Sequence, residues 1–217
     1  MAESSTGITY YYAAYSSYTW LGSARLLEIA AASGRAIIHK PVDLHRVMAA
    51  AGSTSFAERS LDFRNYFFNR ELERWAEYRG LRTLGRRPTY HHHGYELANR
   101  VLVAAILAGH NVDALAHAFL DGHWADDADL ADGATLVGLV RKVGLDGLSL
   151  ITAAASRQVT EAYEANTRQA IDNKVFGSPT YIVDGDMFYG QDRLEMVERA
   201  LAEPFRDEWP KLEKLGD

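Results

Sequence analysis

The sequence contains no cysteine, which excludes intramolecular disulfides, thiolate metal ligands and a cysteine nucleophile. It also lacks a long hydrophobic run. The longest apolar stretch covers residues 101–108, whereas a membrane-spanning helix needs about 20 apolar residues, so we expect no membrane association. An excess of basic residues is absent too. The net charge is -6 and the pI is about 5.8, so we do not expect nucleic acid as a partner.

The first residues of the chain do not combine a basic region with an apolar run, as a secretory signal peptide would. We therefore expect a cytoplasmic protein. What the sequence does contain is an ordinary globular composition, 47% hydrophobic and 24% charged over 217 residues. This length suits one domain, or one domain that carries a large insertion.

The N-terminal part of the chain predicts a β-α-β unit. Residues 8–13 are β-branched and aromatic, as in a buried strand, and residues 36–42 predict a second strand. Between them, apolar residues recur at helical spacing, and Gly34 is typical of a helix end. Ser16 or Ser17 is a suitable N-cap for this helix.

A helical block separates this unit from a second one that contains strands. The pattern predicts helices within residues 57–150 and 156–174, strands at 180–183 and 187–189, and a last helix at 191–201. Asp184-Gly185 is a hairpin signal between the two strands. Without the block, the element order is that of thioredoxin. The predicted fold class is therefore α/β, with a thioredoxin-like core and an all-helical domain inserted between its βαβ and ββα halves.

The first candidate site is Ser16-Ser17-Tyr18-Thr19, between the first strand and the first helix. A helix N-terminus carries free amides and about half a positive charge, which favours an anion there. Thioredoxin-fold oxidoreductases place C-x-x-C at this point, where the helix dipole lowers a thiol pKa. The slot here reads S-x-x-T, so the thiol would have to come from another molecule, and glutathione is the obvious donor. The alternative is that Ser16 serves only as a helix cap.

Two further candidates lie near the C-terminus. Ser178-Pro179 stands just before a strand, where a cis-proline would turn the Ser178 backbone toward the first helix and let a thiol peptide pair with it. The alternative is an ordinary trans turn. Gln191 and Asp192 open the last helix and are suited to the charged amino-acid end of a ligand. The alternative is that Asp192 merely caps this helix.

The histidines at 91, 92 and 93 do not predict a metal site, because consecutive residues do not converge on one ion. We expect an exposed loop, placed at the rim of a substrate pocket. The tyrosines at 10, 11 and 12 and Trp75 are expected in the core. We predict no bound metal.

Residues 174–194, KVFGSPTYIVDGDMFYGQDRL, and the N-terminal stretch YYYAAYSSYTWLG resemble the 2-hydroxychromene-2-carboxylate isomerases. These are DsbA-like members of the thioredoxin superfamily close to kappa-class glutathione transferases. The resemblance covers nearly the whole chain. It implies a DsbA-type core formed by residues 1–50 and 175–217, a helical domain over residues 51–174, a homodimer, and glutathione as cofactor.

The resemblance also implies roles for single residues. Ser16 matches the serine that hydrogen-bonds the glutathione sulfur, and Pro179 matches a cis-proline whose preceding residue, Ser178, pairs with the cysteinyl backbone. Gln191 and Asp192 match the positions that hold the γ-glutamyl end.

The chain departs from the family pattern at several positions. Ser17 replaces a proline, Ser178 replaces an apolar residue, and Ala13-Ala14 stand where an aspartate is usual. Arg64 takes the place of a family lysine. These changes surround the acceptor pocket, where Ser17 and Arg64 are predicted to contact the substrate.

The implied activity is a glutathione-dependent isomerisation of an unsaturated aromatic pyruvate or chromene-type carboxylate, a small molecule from aromatic catabolism. Two alternatives remain open at this point. One is a kappa-like transferase or peroxidase, and the other is a cysteine-free binding module without enzymatic activity.

Overall fold

A computed structural model of the chain describes residues 7–54 and 57–206. The outer ends of the predicted thioredoxin-like segments, residues 1–6 and 207–217, lie outside the described residues, as do positions 55 and 56.

Four strands form one mixed sheet in the order β2-β1-β3-β4: β1 Gly7–Tyr12, β2 Ala36–Pro41, β3 Thr180–Val183 and β4 Asp186–Tyr189. β1 pairs parallel with β2 and antiparallel with β3, and β3 and β4 form a hairpin. Asp184 and Gly185 connect the hairpin with φ values of 48° and 93°, as a tight two-residue turn requires. The sheet confirms the predicted βαβ and ββα halves and the α/β fold class.

Ten α-helices accompany the sheet within the described residues: α1 Ser17–Ser33, α2 Leu44–Ala50, α3 Leu61–Asn65, α4 Glu71–Tyr78, α5 Glu96–Leu107, α6 Asp113–Asp126, α7 Gly133–Lys142, α8 Gly147–Ala154, α9 Arg157–Asp172 and α10 Leu194–Ala202. A π-helical turn, Tyr66–Arg70, joins α3 to α4, and a 3-10 turn, Gln191–Arg193, precedes α10. No helix of this described part is long and apolar enough to cross a membrane.

Helices cover the sheet on both faces, because successive side chains of a strand point in opposite directions. Tyr10 and Tyr12 belong to the large core that also contains residues of α1, α5 and α10. Tyr11 points the other way and packs with Val47 of α2 and Ala170 of α9. All three tyrosines are buried, as predicted. Trp75 is only half-buried, at the edge of a smaller cluster, so the expected core position is wrong for it.

The predicted helices are all present, but two short ones, α2 and α8, were not predicted. The first helix ends as predicted, with Gly34 in the left-handed region at φ 67°. The division into a core and an inserted domain stays a prediction. Within the predicted insertion, α9 packs against β2, and its Thr167 accepts a hydrogen bond from the backbone N–H of Asp43 at 3.0 Å.

Candidate functional site

The N-terminus of α1 forms the centre of the candidate site. Ser16 is its N-cap, and its Oγ accepts a hydrogen bond from the Thr19 N–H at 3.3 Å. No hydrogen bond from the described residues reaches the N–H groups of Ser17 and Tyr18. The first turn of α1 also carries no acidic side chain. The positive end of the helix dipole is therefore not neutralised by its own helix.

Ser178 lies against this helix end. The Ser178–Pro179 peptide bond is cis, as the resemblance implied. Ser16 Oγ donates to the Ser178 carbonyl oxygen at 3.3 Å, so the first two predicted site segments are brought together. The Ser178 side chain is fixed separately, because its Oγ accepts from the Ala13 N–H at 3.1 Å and lies 2.6 Å from Thr19 Oγ1.

Thr19 is a functional candidate that the sequence reasoning did not single out. It is fully buried, and its hydroxyl ties the α1 end to Ser178. The signal was present, because Thr19 occupies the fourth position of the S-x-x-T slot.

The third predicted segment also meets this site. The Gly190 N–H donates to the Pro179 carbonyl oxygen at 2.9 Å, which places the turn of Gln191 and Asp192 beside the cis-proline. Gln191 is only 1% exposed, and its Oε1 accepts from Arg79 at 3.2 Å. Its Oε1 is thus engaged inside the protein, whereas its buried Nε2 has no hydrogen-bond partner among the described residues. Asp192 is exposed and pairs with Arg193 at 2.7 Å.

Aromatic and basic side chains line one side of the site. The Tyr18 hydroxyl donates to the Phe67 carbonyl at 2.7 Å, and burial raises the pKa of Tyr18. Desolvation raises the pKa of the partly exposed Tyr189 at the end of β4, and the charge of Arg59 lowers it.

A cleft of about 350 Å³ is lined by Thr54, Arg59, Ser60 and Phe63, and the Phe63 ring lies 4.3 Å from the ring of Phe67, the partner of Tyr18. Arg64, the residue predicted to contact the substrate, lies in α3 one position beyond this lining and is half-buried. Arg59 was missed because a lone arginine in a loop carries no local signal.

Four rings form a continuous stack, which we call the ring column: Tyr95, Tyr15, His91 and His123. The Tyr15 ring lies between Tyr95, at 4.0 Å, and His91, at 4.8 Å, and the His91 and His123 rings are 5.1 Å apart. Tyr15 directly precedes Ser16, so the ring column is joined through the backbone to the candidate site. Burial lowers the pKa of His91 to about 3, with a smaller contribution from His123.

The expectation that the three histidines are exposed is confirmed for His92 and His93. It is wrong for His91, which is half-buried because its ring stacks on Tyr15. Among the described residues, no group of three potential metal ligands converges.

Residues 7–202 match the family model of the DSBA-like thioredoxin domain. A curated relative, 2-hydroxychromene-2-carboxylate isomerase of Pseudomonas putida, is 28% identical over 198 residues, which cover 89% of this chain and 93% of the relative. A solved 2-hydroxychromene-2-carboxylate isomerase structure is similar at a TM-score of 0.75 with 26% identity, covering 90% of this chain and 94% of that one. The cytosolic disulfide reductase DsbM of Pseudomonas aeruginosa, solved with GSH, shares the fold at a TM-score of 0.61 and 14% identity, covering 91% and 93%. The predicted resemblance is therefore confirmed.

Proposed function

The chain belongs to the DSBA-like thioredoxin family, and from that premise we propose that it is a glutathione-dependent isomerase of an unsaturated aromatic pyruvate or chromene-type carboxylate. The names of its relatives support an isomerase. The observation that carries the thiol dependence is the end of α1. There, a cysteine-free protein keeps unpaired amides, Ser16 and a cis-proline together.

The residues present fit the cysteinyl part of glutathione. Ser16 Oγ donates to the Ser178 carbonyl over a long 3.3 Å bond, and the Ser178 carbonyl can accept a peptide N–H instead. When a peptide pairs with Ser178, the Ser16 proton is free to turn toward the sulfur. The Ser16 hydroxyl and the positive end of α1 then both lower the pKa of a bound thiol.

The γ-glutamyl end would lie at the turn that opens with Gly190. Its ammonium group suits the exposed Asp192 carboxylate, which here pairs with Arg193. Gln191 Oε1 is engaged with Arg79, so we assign the contact at this position to the donors of Gln191: its backbone N–H and its side-chain Nε2, which has no hydrogen-bond partner among the described residues.

Glutathione supplies the nucleophilic sulfur, which adds to the unsaturated carbon and leaves again after rotation about the former double bond. The protein binds the substrate carboxylate through arginine, with Arg59 at the cleft and Arg64 on α3 as the candidates. Ser17, the first residue of α1, would face the acceptor. The homodimer, the cytoplasmic location and the origin of the substrate in aromatic catabolism belong to the same proposal.

The test combines binding and turnover. Thermal unfolding is followed with millimolar glutathione and with the analogue in which α-aminobutyrate replaces cysteine. Glutathione should raise the melting temperature by mass action, more than the sulfur-free analogue does. Absorbance of 2-hydroxychromene-2-carboxylate should then change only when enzyme and glutathione are both present.

Two other results would replace the proposal. Conjugation of chlorodinitrobenzene or reduction of cumene hydroperoxide without isomerisation would indicate a kappa-like transferase or peroxidase. The absence of any thermal shift and of any turnover would indicate a binding module without enzymatic activity.

A further inference from the structure

The ring column holds a pair of histidines whose hydrogen bonds fix their protons. His123 Nδ1 lies 2.9 Å from the Ala128 carbonyl oxygen, and His123 Nε2 lies 2.8 Å from His91 Nδ1. A carbonyl oxygen only accepts, so His123 Nδ1 carries a proton. In the neutral ring His123 Nε2 is then an acceptor, and His91 Nδ1 must donate to it. The remaining nitrogen, Nε2 of His91, is left as an acceptor.

The surroundings of both imidazoles favour their neutral forms. Burial is the largest cause of the lowered pKa at each ring and the charge of Arg87 lowers both further, while the Ala128 carbonyl, Asp127 and Asp129 partly offset the lowering at His123. Protonation of His123 would also reverse the hydrogen bond between the two rings, because its Nε2 would become a donor.

The column is held in place by Trp124. Its Nε1 donates to the Tyr15 carbonyl oxygen at 2.9 Å, and its ring lies edge-on to His91 at 5.2 Å. The Tyr15 and Ser16 Cα atoms are about 3.8 Å apart, as consecutive residues are. The His91 ring is half-buried, and within residues 7–54 and 57–206 no hydrogen bond reaches its Nε2. A fixed acceptor therefore lies one stacked ring away from Tyr15, the residue that precedes Ser16.

We propose that Nε2 of His91 accepts a hydrogen bond from the hydroxyl group of a hydroxyaryl substrate, and that this contact selects for the hydroxyl. The proposal rests on the proposed function. The 2-hydroxychromene-2-carboxylate ring is a cyclic hemiketal, and its opening releases a phenol. The hydroxyl group of a phenol donates a hydrogen bond to a neutral imidazole, whereas a carboxylate carries no hydrogen and cannot donate one.

Binding of two ligands tests the selection. The probes are 2-hydroxybenzylidenepyruvate and benzylidenepyruvate, which differ by the hydroxyl, titrated without glutathione so that no thiol adds to them. The unchanged protein should bind the hydroxy ligand about tenfold more tightly, which corresponds to about 1.4 kcal/mol. His91→Phe keeps an aromatic ring in the column but removes the acceptor, so the two affinities should become equal. His92→Phe, at the exposed neighbour, should keep the preference.

A preference that persists in His91→Phe, or that is missing in the unchanged protein, overturns the proposal. Circular dichroism checks that each variant folds. Imidazole ¹⁵N spectra of the unchanged protein provide a readout that needs no variant. His91 and His123 should both carry the proton on Nδ1, and a proton on His91 Nε2 would overturn the proposal. A protein that prefers the hydroxy ligand but shows no glutathione-dependent isomerisation would contradict the proposed function alone.

Discussion

The two interpretations of Ser16, as helix cap and as sulfur ligand, do not compete for the same part of the hydroxyl group. The cap uses a lone pair of Oγ, which accepts from the Thr19 N–H. A bound thiolate needs the proton of the same hydroxyl, which here points to the Ser178 carbonyl. One serine can therefore hold the helix end and a sulfur at the same time.

We expect Ser16→Ala to lower isomerase turnover about 100-fold, because the hydroxyl proposed to donate to the thiolate is removed. The lost cap should also lower the free energy of unfolding by about 1 kcal/mol. Ser156→Ala is the matched control, since Ser156 caps α9 through the same kind of bond, to the Val159 N–H at 3.3 Å. Its stability should fall by a similar amount while its turnover stays unchanged. Urea unfolding and initial rates measure both effects.

Equal turnover loss in the two variants would show that activity follows stability alone. Full turnover in Ser16→Ala would remove Ser16 from the mechanism.

Thr19 should matter for glutathione affinity because it orients Ser178. Thr19→Val leaves the buried Ser178 hydroxyl with one partner fewer, so we expect the free energy of unfolding to fall by about 1–3 kcal/mol and glutathione to bind more weakly. Thr167→Val is the control, because Thr167 is equally buried and hydrogen-bonded but belongs to α9. It should lose stability without losing affinity. Titration calorimetry distinguishes the two, and equal affinities in both variants would contradict the role of Thr19.

At the scale of elements, the site depends on how closely α1 approaches the 3-10 turn before α10. A Cβ added to Gly22 would lie 2.8 Å from the Gln191 Cβ and 3.1 Å from a Leu194 methyl group. Since the Gln191 Cβ is attached to the backbone, it cannot move without shifting the turn. The missing side chain at Gly22 thus keeps the turn of Asp192 close to the N-terminal half of α1.

Gly22→Ala should therefore destabilise the protein by about 1–3 kcal/mol and weaken glutathione binding, although alanine favours a helix. Gly138→Ala is the control within α7, where an added Cβ meets nothing within 4 Å. It should raise the free energy of unfolding by up to about 1 kcal/mol and leave binding unchanged. Chemical denaturation and calorimetry test the pair. A stabilised Gly22→Ala variant would show that the turn is free to shift.

The elements that the sequence predicted are those with strong local patterns. The alternating and aromatic strands and the long α1, with Gly34 at its end, follow from residue spacing alone. The helices α2 and α8 contain only seven and eight residues, and such short helices are marginal without tertiary contacts. α2 depends on burial of Val47 against the core at the Tyr11 side, which no local pattern reveals.

The direction of a side chain at the site could not be predicted from the local sequence either. Gln191 was correctly placed at the start of the last helical segment, yet its side chain points inward because Arg79, far away in the sequence, holds it there. The family resemblance named the position, and tertiary packing determines the direction of its side chain.

For the whole molecule, the site exists only where distant segments meet. The hydrogen bond between Ser16 and Ser178 spans 162 positions, and the sequence could place these residues together only through the thioredoxin-like order of elements and the family resemblance. The ring column joins His91 and His123 to Tyr15, and none of the three lies in a pattern that predicts the others. Loop residues such as His91 are positioned by their partners, so their environment follows from the fold and not from the local sequence.

The same column should affect the pH dependence of global stability. The folded-state pKa of His91, about 3, lies below its ordinary value of 6.5, and the pKa of His123 is lowered as well. The unfolded chain therefore binds more protons between about pH 6.5 and 3. This contribution to stability is complete above pH 6.5 and is lost as the pH falls, by up to about 1.4 kcal/mol per pH unit for each ring. Asp113, whose pKa is lowered from 3.8, adds its own loss of stability only as the pH falls through and below 3.8.

We expect urea unfolding between about pH 4.5 and 7 to show this slope in the unchanged protein. In His91→Phe the slope should be shallower, because one buried titrating ring is gone. The charged neighbours Arg87 and His92 remain in that variant. His92→Phe should keep nearly the full slope, since His92 is exposed and both column histidines remain. Identical slopes in all three proteins would mean that His91 protonates as easily in the folded as in the unfolded chain. The hydrogen-bonded neutral pair on which the acceptor role of His91 depends would then be absent.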